Sequence, residues 1–120
     1  MGDVIDTHPA IEAIYAQVVA WNRGDLDGYM AHVHPEVTYI RPGSLLRGRA
    51  ALHDSYRAST GAMGQLSVEV LDICASPDQA SLVLSWALAG AQSGCALVVY
   101  VATAEGWLLR HDATMVDQSV

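Results

Sequence analysis

The segment WNRGDLDGYMAHVHPEVTYIRPGSLLRGRAALHDSYR, residues 21–57, decides the fold. Gly24-Asp25 separates the end of one helix from the start of another. Glycine supplies a left-handed cap, and Asp25 is a good helix N-cap. Leu26, Tyr29, Met30 and Val33 then keep helical spacing, and Pro35 is expected to end this short helix. Val37-Thr38-Tyr39-Ile40-Arg41 is β-branched and aromatic, hence a strand. Pro42-Gly43-Ser44 turns the chain, and Leu45-Leu46-Arg47 returns as a short strand. Gly48 allows the bend into a third helix over about Ala50 to Ser59, which Gly61 and Gly64 break.

Upstream, Pro9 suits a first helical turn. Ile11, Ile14, Tyr15, Val18 and Trp21 follow at helical spacing, which predicts an amphipathic helix of about four turns. Downstream, four strands are predicted over about Gln65–Ala75, Ala80–Ala89, Cys95–Ala104 and Trp107–Val116. Short turn-like breaks join them into an antiparallel meander. At ~3.3 Å per residue such strands are long enough to bend around the first helix.

The whole is a single domain over 1–120, with its core at about 9–116. The apolar fraction is 52%. Surplus apolar surface on a domain this small implies a ligand cavity, a subunit interface or both. No apolar run reaches the ~20 residues of a membrane helix. The net charge is −7, with six Arg and no Lys, which argues against nucleic acid or anionic membrane as a partner. Cys74 and Cys95 fall in apolar strand patterns without metal spacing and read as buried thiols of a reduced compartment. The acidic N-terminus lacks a secretory pattern, so a cytoplasmic location is expected.

Three motifs carry a family resemblance over about Ile11 to Val116. Trp21-Asn22-Arg23-Gly24-Asp25-Leu26-Asp27 resembles the first helix junction of SnoaL-like proteins. Gly48-Arg49 with Tyr56-Arg57 resembles their third helix, and Glu105-Gly106-Trp107 through His111-Asp112 their last strand. These proteins belong to the nuclear transport factor 2-like superfamily. The resemblance implies a cone-shaped, cystatin-like α+β fold, three helices on a curved mixed, mainly antiparallel sheet, with a pocket between sheet and first helix. It does not fix a reaction, because the fold hosts isomerases, dehydratases, hydrolases and non-catalytic association domains.

Ketosteroid isomerase, a relative on this fold, uses an Asp base with a Tyr and a protonated Asp as oxyanion donors. In the resemblance the base position is Arg41, which cannot take a proton. The oxyanion positions are Val98 and Gln17. Steroid isomerisation is therefore not expected. The isomerase's supporting tyrosine on the third helix matches Tyr56.

Strand alternation supplies the remaining candidates. Tyr39 and Arg41 share a face, as do Leu82, Leu84 and Trp86, and Leu109, His111, Ala113 and Met115. Taking these faces as inward gives catalytic candidates His111, Tyr39 and Arg41, with His111 as a general base near neutral pH. Ligand contacts would come from Gln17, Tyr56, Trp86, Val98 and Met115, with no inward carboxylate beside Arg41. His32-Val33-His34 has the wrong spacing for a helical metal pair, and neither metal nor cofactor is expected. The expected partners are a small-molecule ligand and a second copy of the chain. The homodimer would form through the outer sheet face, where Val68, Val70, Val83, Val99 and Val101 are expected.

Overall fold

A computed structural model describes residues 8–57 and 64–117. The order is α1 (Pro9–Asn22), α2 (Leu26–Met30), β1 (Val33–Arg41), β2 (Ser44–Arg47), α3 (Arg49–Arg57), β3 (Leu66–Ser76), β4 (Gln79–Leu88), β5 (Ser93–Thr103) and β6 (Gly106–Val116). The six strands form one sheet in the order β2-β1-β6-β5-β4-β3. Only β1 with β6 is parallel among these pairs; the others are antiparallel. Among the described residues no helix is long and apolar enough to cross a membrane.

The inner face of the sheet is covered by α1. Ile11, Ile14 and Trp21 of that helix are buried in one core with Leu82, Leu84, Val98 and Tyr100 of the sheet, and Gln17 is buried beside them. The side chain of His8 caps α1 by accepting from the Ala10 N–H at 3.0 Å. Gly24, at φ 73°, takes the left-handed turn just beyond its end. The Asn22 amide then ties that end to β3, accepting from the Leu66 N–H at 2.7 Å and donating to the Leu66 carbonyl at 2.9 Å. This pair of hydrogen bonds fixes how far the helix end stands from the sheet.

Two expected boundaries move. Val33 belongs to β1 rather than α2, and Pro35 lies inside that strand. Proline is tolerated there because the β1–β6 register breaks between Val33 and Thr38, so no ladder bond is lost. The third helix is described from Arg49 to Arg57; its expected end at Ser59 and the breaker Gly61 lie outside the described residues. Both cysteines face away from the core: Cys74 is exposed and Cys95 half-buried. They sit on the solvent side of the strand alternation, which corrects the expectation of buried thiols. Val68 and Val70, expected outside, pack on the core side.

Candidate functional site

A cavity of about 400 Å³ lies between α1 and the inner face of the sheet. The strand registers stack its wall in tiers. Tyr39 pairs with Asp112, Asp112 with Val98, and Val98 with Leu82. One step along, Thr114 pairs with Ala96 and Ala96 with Leu84, with Arg41 next on β1. A further step brings Val116, Gly94, Trp86 and Val68 together. Successive tiers are about 7 Å apart, two residues along a strand. Exposed Pro42 and Gln92 line the outer end.

The tier holding Tyr39 and Asp112 is the polar one. The rings of Tyr29, Tyr39 and Tyr56 meet here, with Tyr56 at 5.5 Å from Tyr29 and 6.0 Å from Tyr39. Trp21 packs edge-on against Tyr56 at 5.2 Å and Tyr29 at 5.8 Å. It also lines the cavity. Its indole N–H is buried, with no hydrogen-bond acceptor among the described residues.

Asp112 is half-buried and lines the cavity. Its Oδ1 accepts a 2.7 Å hydrogen bond from the Thr114 hydroxyl. Burial raises its pKa from 3.8 to about 6, opposed by the Thr114 bond. Low-polarity surroundings disfavour the ionised form of a carboxyl group. The tyrosines shift upward for the same reason. For Tyr39 burial is the largest cause and the nearby Asp112 charge the second, with Tyr56, Thr114 and Arg41 opposing. Burial likewise raises Tyr29, Tyr56 and Tyr100. These phenols stay protonated, able to donate hydrogen bonds at neutral pH.

Gln17 is fully buried, and its Oε1 accepts from the Tyr100 hydroxyl. Its amide nitrogen points toward the Tyr29 carbonyl at 3.5 Å. The side chain is committed to this internal network while still bordering the cavity.

Gln17, Tyr39, Arg41, Tyr56, Trp86 and Val98 all stand on the cavity wall. His111 and Met115 do not. His111 is exposed and Met115 is 57% exposed, both on the outer face. The cause is a bulge in β6. Val99 pairs with His111 but Tyr100 pairs with Leu109, so Arg110 is an extra residue. An inserted residue reverses the alternation beyond it. Leu109 therefore faces the core as expected, but past the bulge Asp112, Thr114 and Val116 face inward instead of His111, Ala113 and Met115. The Arg110 guanidinium donates to the Glu36 carbonyl at 2.7 Å, which joins this bulge to the irregular part of β1. Asp112 is consequently an inward carboxyl on the strand beside Arg41, where none was expected.

At the outer end Trp86 lies against Gly94. Its indole donates to the Cys95 carbonyl at 3.3 Å. A Cβ on Gly94 would stand 1.9 Å from the Met115 carbonyl oxygen and 3.0 Å from the Trp86 ring. Gly94→Ala is therefore expected to cost about 1–3 kcal/mol through overpacking, read as a lowered unfolding midpoint. An unchanged midpoint would show that the strand shifts freely.

The comparisons agree with this architecture. The model of the SnoaL-like domain matches residues 11–113. The chain belongs to the SnoaL-like family. None of the curated proteins matches it. Among solved structures, a nuclear transport factor 2-like protein of unknown function from Shewanella oneidensis superposes with a TM-score of 0.81 at 22% identity, covering 89% of this chain and 96% of that one. A protein from Thiobacillus denitrificans named for a calcium/calmodulin-dependent protein kinase type II association domain has a TM-score of 0.76 at 25% identity, covering 88% and 93%. A ketosteroid isomerase-like protein from Erwinia carotovora has a TM-score of 0.72 at 19% identity, covering 90% and 93%. These low-identity likenesses establish the nuclear transport factor 2-like, cystatin-like fold of this SnoaL-like chain.

Proposed function

We propose that this SnoaL-like protein binds an apolar small molecule in the cone and moves a proton on it through Asp112, an isomerase- or dehydratase-type reaction. The observation that carries this reading is a carboxyl group with a pKa of about 6 on an otherwise largely apolar wall, beside protonated tyrosines. A base poised near the working pH combines the ionised form with useful driving force. The Asp112 carboxylate would take a proton from a carbon next to a ligand carbonyl. The Tyr39 hydroxyl, on the adjoining strand in the same tier, would donate a hydrogen bond to the resulting oxyanion. Returning the proton to the same carbon gives exchange; returning it to a conjugated carbon gives isomerisation. If the same anion instead expels a β-hydroxyl, which leaves as water with the proton held on Asp112, the result is dehydration. This role for Asp112 replaces the one first considered for His111.

The test uses 2-tetralone in deuterium oxide, followed by proton NMR. Enzyme-dependent loss of the signals next to the carbonyl, rising with pH through about 6, is expected. No exchange above buffer, for tetralone and for a panel of cyclic ketones, would sink the catalytic reading.

A second observation supports self-association. Leu45, Ile40, Ala113, Leu97 and Val83 pair successively across β2, β1, β6, β5 and β4 on the outer face. Ile40 is 47% exposed, Leu45 51%, Leu97 47% and Val83 38%. The row spans five strands, about 20 Å at the usual strand spacing, and Met115 adjoins it. Such a patch is wide enough for much of the ~800 Å² per partner of a standard interface. The homodimer through this face is the natural reading, and the name of the Thiobacillus denitrificans neighbour suits it. Leu97→Arg should convert the dimer to monomer in sedimentation at micromolar concentration. A wild-type protein that sediments only as monomer would refute the dimer.

A further inference from the structure

Arg41 stands one tier outward from Asp112, on the cavity wall beside an apolar surface. Its guanidinium rests 5.8 Å from the centre of the Tyr39 ring. Among the described residues the arginine ion pair is Arg57 with Asp54, while Arg49 and Arg110 donate to the Val33 and Glu36 carbonyls. Arg41 has neither kind of partner among the described residues. Asp112 is the nearby carboxyl, yet its pKa is raised, and the only opposing influence is Thr114. A guanidinium paired with Asp112 would hold that carboxyl down rather than leave it high. The cavity thus presents a cation lacking a counter-ion among the described residues. Across from it, the Trp86 indole is pinned on Gly94 and offers a flat apolar wall.

Building on the reading of the cavity as a small-molecule site, we propose that its ligand is a planar, aromatic or conjugated carboxylic acid. The carboxylate sits on Arg41 and the ring against Trp86. The acidic carbon next to the ligand carbonyl reaches Asp112, about 7 Å deeper by strand spacing. A guanidinium recognises a carboxylate through two parallel hydrogen bonds, which a neutral group of the same shape cannot match. The spacing excludes acids whose carboxylate adjoins the reacting carbon.

Calorimetric titration with 6-hydroxy-2-naphthoate, 2-naphthol and decahydro-2-naphthoate tests this. The naphthoate should bind wild type roughly 10–100-fold more tightly than 2-naphthol, the span of one charged hydrogen bond. Arg41→Met should erase that difference while leaving 2-naphthol binding unchanged, and Arg41→Lys should restore part of it. The saturated acid should bind more weakly than the naphthoate, and Trp86→Leu should narrow that gap. Equal affinity of wild type for naphthoate and naphthol overturns the acid, as does tight naphthoate binding by Arg41→Met. A saturated acid as tight as the naphthoate overturns the planar ring. If wild type binds none of the three at millimolar concentration, the small-molecule reading itself falls, which separates the two failures.

Discussion

Asp112→Asn is expected to slow deuterium exchange into 2-tetralone by about 10²–10⁴-fold, the usual contribution of a positioned base. The amide is nearly the same shape and can still accept the Thr114 hydrogen bond, so the cavity and Tyr39 remain in place. What disappears is the group that takes the proton. Wild-type kcat/KM should rise through pH about 6 as Asp112 ionises and then level off, whereas the variant should show no such rise. His111→Gln offers the contrast, since that ring lies on the outer face and should leave the profile unchanged. Exchange by Asp112→Asn within a factor of a few of wild type would remove Asp112 from the reaction. A profile altered by His111→Gln would mean that the inward face of β6 had been assigned wrongly.

That contrast marks where the sequence stops being legible. Periodicity and punctuation define most elements, because Gly24-Asp25, Pro42-Gly43-Ser44 and Gly48 each force a backbone change that few other residues allow. Alternation also brings Tyr39, Arg41 and Trp86 to the wall, since β1 past Thr38 and β4 continue without interruption. It fails on β6 for one reason. Arg110 is an inserted residue, and nothing in Leu109-Arg110-His111-Asp112 announces it. Both parities place a titratable group inside: His111 with Met115, or Asp112 with Val116. The available signal was the Asp112-Ala113-Thr114 spacing, which lets one side chain bond the other on a shared face. The strand-interior Pro35 is a second such case, because it reads locally as a helix stop. Its tolerance depends on a register break set by a neighbouring strand, which is long-range information.

The same substitution that removes the base should stabilise the protein above neutral pH. In the native state Asp112 has a pKa of about 6 against 3.8 for the unconstrained group. Between those values the folded chain binds more protons than the unfolded chain, so stability falls as pH rises from about 4 and levels off above about 7. Below pH 4 the carboxyl is protonated in both states and contributes nothing to this difference. At about 1.4 kcal/mol per pH unit, keeping the charge in the cavity costs on the order of 2–3 kcal/mol at pH 8, less where cavity water solvates it. Asp112→Asn carries no charge to bury. Its unfolding midpoint should therefore exceed wild type by several degrees at pH 8, with the advantage shrinking toward zero near pH 4. Chemical denaturation of both proteins at the two pH values separates this from a general packing effect, which would be present at both. A variant with no greater relative stability at pH 8 than at pH 4 would show that the Asp112 charge is not held at a cost. The carboxyl would then lack the raised pKa on which its role as a base depends. Stability withheld at the point where the proton is exchanged is the pattern expected of a functional site rather than a structural one.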